Sequence, residues 1–169
     1  KFSIGSGVAL DLNGTLTVQT TADAVFEMLG TSTMAISGNF SATATPTAPF
    51  SMASGSTVTF DGNADQSIGG ANVSQTYGFG TLAIANTGGT GAVEVTIANR
   101  AGVTDVSAAT AVTISDGKLT VADGATLDAN GSVTIQSSAD SELELLLSAA
   151  VTIAGNFTIS AGLLDAQGT

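Results

Sequence analysis

Apolar residues return along the chain in triplets whose middle position is Ser, Thr, Ala or another small residue. Examples are Phe2-Ser3-Ile4, Leu16-Thr17-Val18, Met34-Ala35-Ile36, Val58-Thr59-Phe60, Leu82-Ala83-Ile84, Val95-Thr96-Ile97, Val112-Thr113-Ile114, Leu119-Thr120-Val121, Val133-Thr134-Ile135, Val151-Thr152-Ile153 and Phe157-Thr158-Ile159. Alternation at period two marks a strand with one face turned inward. Near the middle of the second half, strands start near 112, 119, 126 and 133, a spacing of about seven residues. That is shorter and more regular than the strand-and-turn spacing of an ordinary sandwich. Gly and Asx signals punctuate the triplets at Gly5-Ser6-Gly7, Asn13-Gly14, Asp61-Gly62, Asp116-Gly117, Asp123-Gly124 and Asn130-Gly131. Such pairs tolerate positive φ and make hairpins or corners. With this rhythm they predict corners. Three strands make a triangular coil of about 20 residues, and about eight coils stacked ~4.8 Å apart make a rod near 40 Å long. The stretch Ser141-Glu142-Leu143-Glu144-Leu145 begins like a helix cap yet alternates as a strand does, and is read as strand or loop.

A long repeat overlies the short one. Residues 1–44 match 118–161 at an offset of 117; over the first 43 positions 16 are identical, from Lys1/Lys118 to Phe40/Phe157, where a chain of this composition gives about 4 by chance. A fragment of it recurs: Ser6 to Thr15, Asp123 to Ser132 and Ala161 to Thr169 share a Gly, apolar, Leu-Asp, Asn/Gln, Gly, Ser/Thr frame. If 117 residues span a whole number of coils, six of 19 to 20 fit best. The fold class expected is therefore all-β, a parallel β-solenoid forming one continuous segment over 1–169. An irregular insertion or loop is expected around 43–91, where the match is poorest and both prolines, Pro46 and Pro49, lie. The alternative is a tandem antiparallel β-sandwich of immunoglobulin-like domains, since 117 residues is close to one such domain.

Composition narrows the function classes. Charged residues are 10% of the chain, and 14 acids against three bases, Lys1, Arg100 and Lys118, give a net charge of −11. A nucleic-acid partner is excluded by the missing basic patch, and so is attraction to anionic membrane surfaces. No apolar run approaches the ~20 residues of a membrane span, so no membrane insertion is expected. A surface built of Thr, Ser, Asn, Gln and Gly suits extracellular β-structure. Without a starting Met or a leader, the chain reads as mature, processed or excerpted.

Catalysis is poorly provided for. There is no His and no Cys, and the chain has one Tyr, no Trp and one Arg to hold a sugar. The expectation is that the protein is not an enzyme, with no catalytic residues and no cofactor. The acids Asp61, Asp65, Asp116 and Asp123 sit at turns and are candidate ligands of a structural calcium ion, hard oxygen donors being what that ion takes. Asp61 opens an EF-like loop that lacks its sixth-position Gly and closing Glu. Sequons at Asn13, Asn39, Asn72, Asn130 and Asn156 are glycosylation candidates, and the same residues also serve corners. Thr-x-Thr rows of the kind that bind ice are not sustained over several coils. Phe50, Met52, Phe60, Tyr77 and Phe79 are the best candidates for a receptor patch, with coil interior as the competing reading.

The segments from Gly55 to Ile68, Tyr77 to Ile84, Gly117 to Ile135 and Gly155 to Thr169 resemble the β-strand repeats of large bacterial surface proteins, similar in flavour to autotransporter passengers and filamentous-haemagglutinin-like adhesins. The resemblance rests on Gly, Asn, Thr and apolar patterning over most of the chain. It implies a secreted or cell-surface parallel β-solenoid with adhesive or scaffolding duty and carries no catalytic residues with it. Two functions remain open. One is a non-enzymatic structural unit of an extracellular filament or surface layer, whose partner is itself, as a head-to-tail homopolymer or a longer repeat polypeptide. The other is the stalk or binding segment of a surface adhesin with host or surface glycans as partners.

Overall fold

In the computed structural model, residues 1–19, 24–43, 50–69, 75–87, 93–98, 104–136, 138 and 140–167 are described. They form β1 (Phe2–Ile4), β2 (Ala9–Leu12), β3 (Leu16–Val18), β4 (Phe26–Met28), β5 (Thr33–Ile36), β6 (Phe40–Ala42), β7 (Phe50–Met52), β8 (Thr57–Phe60), β9 (Gln66–Ile68) and β10 (Gln75–Ala85). The order continues with β11 (Glu94–Ile97), β12 (Thr104–Asp116), β13 (Lys118–Val121), β14 (Thr126–Ala129), β15 (Ser132–Ile135), β16 (Glu142–Leu145), β17 (Ala150–Ile153), β18 (Phe157–Ile159) and β19 (Leu163–Ala166). Every described ladder is parallel, and each strand pairs with the strand one turn away. The protein is a parallel β-solenoid with three faces, and no described residue is helical. The sandwich alternative is excluded, since it requires antiparallel ladders.

The first face carries β1, β4 and β7. Its inward column then passes to the first half of β10, where the Tyr77 ring lies 5.0 Å from Phe50, and on through the first half of β12 to β14 and β17. The second face carries β2, β5, β8, the second halves of β10 and β12, then β15 and β18. The third is a seven-stranded sheet, β3-β6-β9-β11-β13-β16-β19. Seven strands one above another make about 29 Å of stacking at ~4.8 Å per step, shorter than the rod of eight coils expected from sequence.

The turn is longer than the predicted 20 residues. Phe2 pairs with Phe26 and Phe26 with Phe50, a step of 24 (26 − 2). The sequence spacing of seven came from the coil between Val112 and Val133, which is only 21 residues (133 − 112), as is the turn from Leu143 to Leu164 (164 − 143). The 24-residue coils hold two short corners and one long one. From Phe2 the inward residues run to Leu10, Leu16 and Phe26 in steps of 8, 6 and 10. The long corner carries no apolar alternation, so period two misses it.

The 117-residue repeat is not a whole number of coils. The steps 8, 6 and 10 recur from Leu119 to Leu127, Val133 and Leu143, but they start on the third face instead of the first. Thus β1 on the first face corresponds to β13 on the third, β2 on the second to β14 on the first, and β3 on the third to β15 on the second. The copies are related by four turns and two thirds. The shared Leu-Asp frame falls once on each face, in β2, β14 and β19.

The stretch 43–91 contains β7, β8, β9 and β10, all within the solenoid column. Its departure from regularity is length: Phe40 pairs with Ile68 and Ile68 with Ile97, steps of 28 and 29 (68 − 40, 97 − 68). Pro46 and Pro49 lie outside the described residues.

Inside, the three faces meet in one core. Phe40 is its aromatic hub, with Phe26, Phe50, Phe60, Tyr77 and Phe79 at ring separations of 4.7 to 6.4 Å. Gln66 also points inward, and its amide is fully used. Nε2 donates to the carbonyls of Ile36 (2.9 Å) and Gly38 (2.7 Å), while Oε1 accepts from Gly62 N (3.1 Å) and Asn86 Nδ2 (2.8 Å). This amide satisfies backbone groups at the corner where the coil lengthens.

The six-residue corners contain glycine for a reason other than positive φ, which none of them has. At Gly38 a β-carbon would lie 2.6 Å from the carbonyl oxygen of Gly14, and at Gly155 2.7 Å from that of Gly131; at Gly131 it would overlap the carbonyl of Thr110. Successive tight corners stack backbone on backbone. Left-handed glycine is needed in the eight-residue corners instead, at Gly7, Gly30 and Gly124.

Two outcomes follow. Gly131→Ala pushes adjacent rungs apart and lowers stability by about 1–3 kcal/mol, measured as a reduced urea midpoint. Gln66→Leu takes away the partner of the Gly62 N–H and of the Gly38 carbonyl, while the Ile36 carbonyl keeps Asp61 N, and costs about 2–4 kcal/mol in the same assay; an unchanged midpoint refutes the role given to the amide.

Candidate functional site

The four candidate calcium ligands stand at three separate corners. Asp61 and Asp65 are exposed on the corner before β9, and Asp65 Oδ1 accepts from Glu94 N at 3.2 Å. Asp116 closes β12, where its Oδ1 accepts from Gly117 N (3.0 Å) and Ser138 Oγ (3.1 Å). Asp123 stands at another corner, accepting from Ser148 N (3.0 Å) and from the Ser148 hydroxyl, which hold its carboxyl below the usual range. The carboxylates of Asp65, Asp116 and Asp123 thus tie one rung to the next. Among the described residues no group of three or more metal-ligating side chains gathers.

Four of the five sequons are described, and all four sit exposed at six-residue corners. Asn13 and Asn130 precede the corner glycine, and Asn39 and Asn156 follow it. Asn39 is already engaged, its Oδ1 accepting from Ser67 N at 2.8 Å. Asn72 lies outside the described residues. The candidate receptor patch is interior: Phe50, Phe60, Tyr77 and Phe79 are buried and Met52 is partly so.

The outward side chains form ladders. On the second face one column runs Ala9, Thr33, Thr57, Thr81, Ala111 and Ser132, and the next Asp11, Ala35, Thr59, Ala83, Thr113, Thr134 and Thr158. Only β8 presents two threonines together, so no Thr-x-Thr array is sustained. The third face holds the one strongly coupled charge group among the described residues. Glu94, Lys118 and Glu142 are direct neighbours on β11, β13 and β16, and Glu144 lies beside Thr120. Lys118 Nζ is 2.7 Å from Glu144 and 3.6 Å from Glu94. Burial opposes the lysine's charge, but the Glu144 bond and the surrounding carboxylates outweigh it and raise its pKa. The same bond lowers that of Glu144, whereas burial raises that of Glu142. Sequence reading passed over this group, because only the pairing of β11, β13 and β16 brings residues 94, 118, 142 and 144 together.

The remaining distinctive surfaces are the two ends. At the first rung Phe2 is 56% exposed, and with Leu10, Leu12, Leu16, Phe26 and Met34 it lines an open cavity of about 520 Å³. At the last rung Phe157, Ile159, Leu163 and Leu164 are exposed. In every intermediate rung the equivalent positions are covered by the next turn.

No family model, curated protein or solved structure matches this chain. The fold stands on its own geometry. Among the described residues no helix is long and apolar enough to cross a membrane.

Lys118→Met removes the cation from among three carboxylates and destabilises by about 1–2 kcal/mol at pH 7. Glu144 titrates below its ordinary value of 4.5 in the fold, so its stabilisation is complete above that pH and is lost as pH falls through the lowered value. The gap between wild type and variant therefore narrows between pH 7 and pH 3 in urea titrations; a constant gap refutes the pairing.

Proposed function

We propose that this chain is a non-enzymatic structural element of an extracellular filament or surface layer, lengthened by stacking rung on rung. The observation that carries this reading is the stacking itself: every described strand pairs in parallel with the strand one turn away, so any rung can take a further rung on its edge. An exposed parallel edge offers a row of backbone donors or acceptors together with apolar side chains, and such edges recruit further strands. A heterologous contact that does not close generates a fibre. The sparse charge and the small polar outer ladders suit a spacer, and the dispersed acids supply no catalytic constellation. The resemblance to bacterial surface repeats supports an extracellular setting. In an adhesin the same geometry serves as a stalk. The binding-segment version loses its best candidate patch to the core.

Sedimentation velocity of the purified chain from 1 to 100 μM, with negative-stain imaging, tests the reading. Concentration-dependent rods as wide as one solenoid are expected. A monomer throughout the range overturns it.

A further inference from the structure

On the third face the ladder is altered twice in succession by the same exchange. Gly69 N donates to Phe40 O at 3.0 Å, so a regular parallel ladder carries Ser67 N to the carbonyl of Gly38. Gln66 Nε2 takes that carbonyl from inside, and Ser67 N turns to Asn39 Oδ1 at 2.8 Å. One rung on, Ala98 N donates to Ile68 O at 2.9 Å, which assigns Glu94 N to the carbonyl of Ala64. There Asn86 Nδ2 takes the carbonyl at 3.4 Å, and Glu94 N turns to Asp65 Oδ1. Asn39 and Asp65 are thus each fixed by one oxygen on the outside of the coil. Among the described residues nothing engages the other terminal atom of either side chain, or the hydroxyl of Ser67. Both line an open hollow of about 360 Å³, together with Ser67, Thr96, Ala98 and Ala122. The strands around it, β6, β9, β11 and β13, are all covered on both sides by further turns.

We propose that this hollow binds one sugar residue of a neutral polysaccharide, with Asp65 accepting from a ring hydroxyl and Asn39 donating to the hydroxyl beside it. The site goes beyond the stacking reading and does not depend on it. A sugar hydroxyl both donates and accepts, and the hollow presents both functions. The second carboxylate oxygen of Asp65 accepts, Asn39 Nδ2 donates and Ser67 Oγ does either. Thr96 Oγ1 already donates to Glu94 Oε1 at 2.6 Å, so its oxygen is left to accept. The methyl groups of Ala98 and Ala122 offer apolar surface to the C–H groups of the ring. Other ligand classes lack partners here. An anion meets Asp65 with Glu94 beside it, while Lys118 is already held by Glu94 and Glu144. A flat aromatic molecule finds no ring to stack on, and a hydrocarbon finds little beyond two methyl groups. The volume stands at the low end of the range of about 300–1,000 Å³ for small-molecule sites, room for one residue of a chain whose neighbours stay in solvent. Three or four hydrogen bonds at an open site imply a Kd of about 1 mM.

Two isosteric variants keep the fold's own hydrogen bonds and change only the outward atom. Asn39→Asp retains the oxygen that accepts from Ser67 N and loses the donor, and Asp65→Asn retains the oxygen that accepts from Glu94 N and loses the carboxylate. Glucose, mannose, galactose and, as the anionic control, galacturonate are titrated to 50 mM into the nitrogen-15-labelled chain, and the amide shifts are followed by NMR. Saturable shifts of the Ser67 and Glu94 N–H groups are expected with at least one neutral sugar, with galacturonate at least tenfold weaker. Each variant is expected to keep the wild-type thermal midpoint and to weaken that sugar's affinity at least fivefold. Neutral sugars that leave both amides unmoved overturn the site. Binding that both variants retain at full strength overturns the roles given to Asn39 and Asp65, and galacturonate bound as tightly as the neutral sugars overturns the ligand class.

Discussion

The fold depends on one constraint: each turn of backbone lies in register on the turn before and is hydrogen-bonded to it. The constraint extends past the strands into the corners, where Leu29 N donates to Ile4 O, Ala53 N to Met28 O, Thr57 N to Ser32 O and Thr81 N to Ser56 O at 2.8 to 3.0 Å. Parallel pairing places residue above equivalent residue, so every position belongs to a column whose members share one environment. Inward columns are apolar, outward ones are small and hydroxylic, and tight corners become stacks of glycine. The hydrogen-bonded carboxylates of Asp65, Asp116 and Asp123 are the same rule in side-chain form, since each bridges to a neighbouring turn.

Columns also explain how the interior changes along the rod. The first-face column reads Phe2, Phe26, Phe50, Tyr77, Val106, Leu127 and Val151, passing from aromatic to aliphatic. The rings cluster around Phe40 just where the third face takes up its extra residues, and Gln66 and Asn86 supply hydrogen bonds there that aliphatic side chains lack. Packing and polar satisfaction together hold the lengthened coils to the same axis.

Much of this was legible from residues alone. Period two located most strands, among them Glu142–Leu145, whose cap-like start was outvoted by its alternation. The short rhythm favoured corners over hairpins and the solenoid over the sandwich, and the parallel ladders then excluded the sandwich. Coil length was not legible, because the ten-residue corner has neither alternation nor a fixed signature, and the window from 112 to 133 samples a coil that lacks it. The reason for corner glycine was hidden as well: a missing side chain looks the same in sequence whether φ or a neighbouring backbone forbids it. The acidic neighbours of Lys118 come from strands 24 residues apart, a distance set by the coil length that alternation did not reveal.

That the two copies of the long repeat lie on different faces has an evolutionary meaning. If each side of the triangle accepts the same segment, the unit of permissible growth is a single side and not a full circuit. A duplication, insertion or deletion need only end where a side ends to leave the axis continuous, and it turns everything downstream by a third of a revolution without disturbing the interior. Surface chemistry in such a lineage is redistributed around the shaft by changes in length, independently of any change in residue identity.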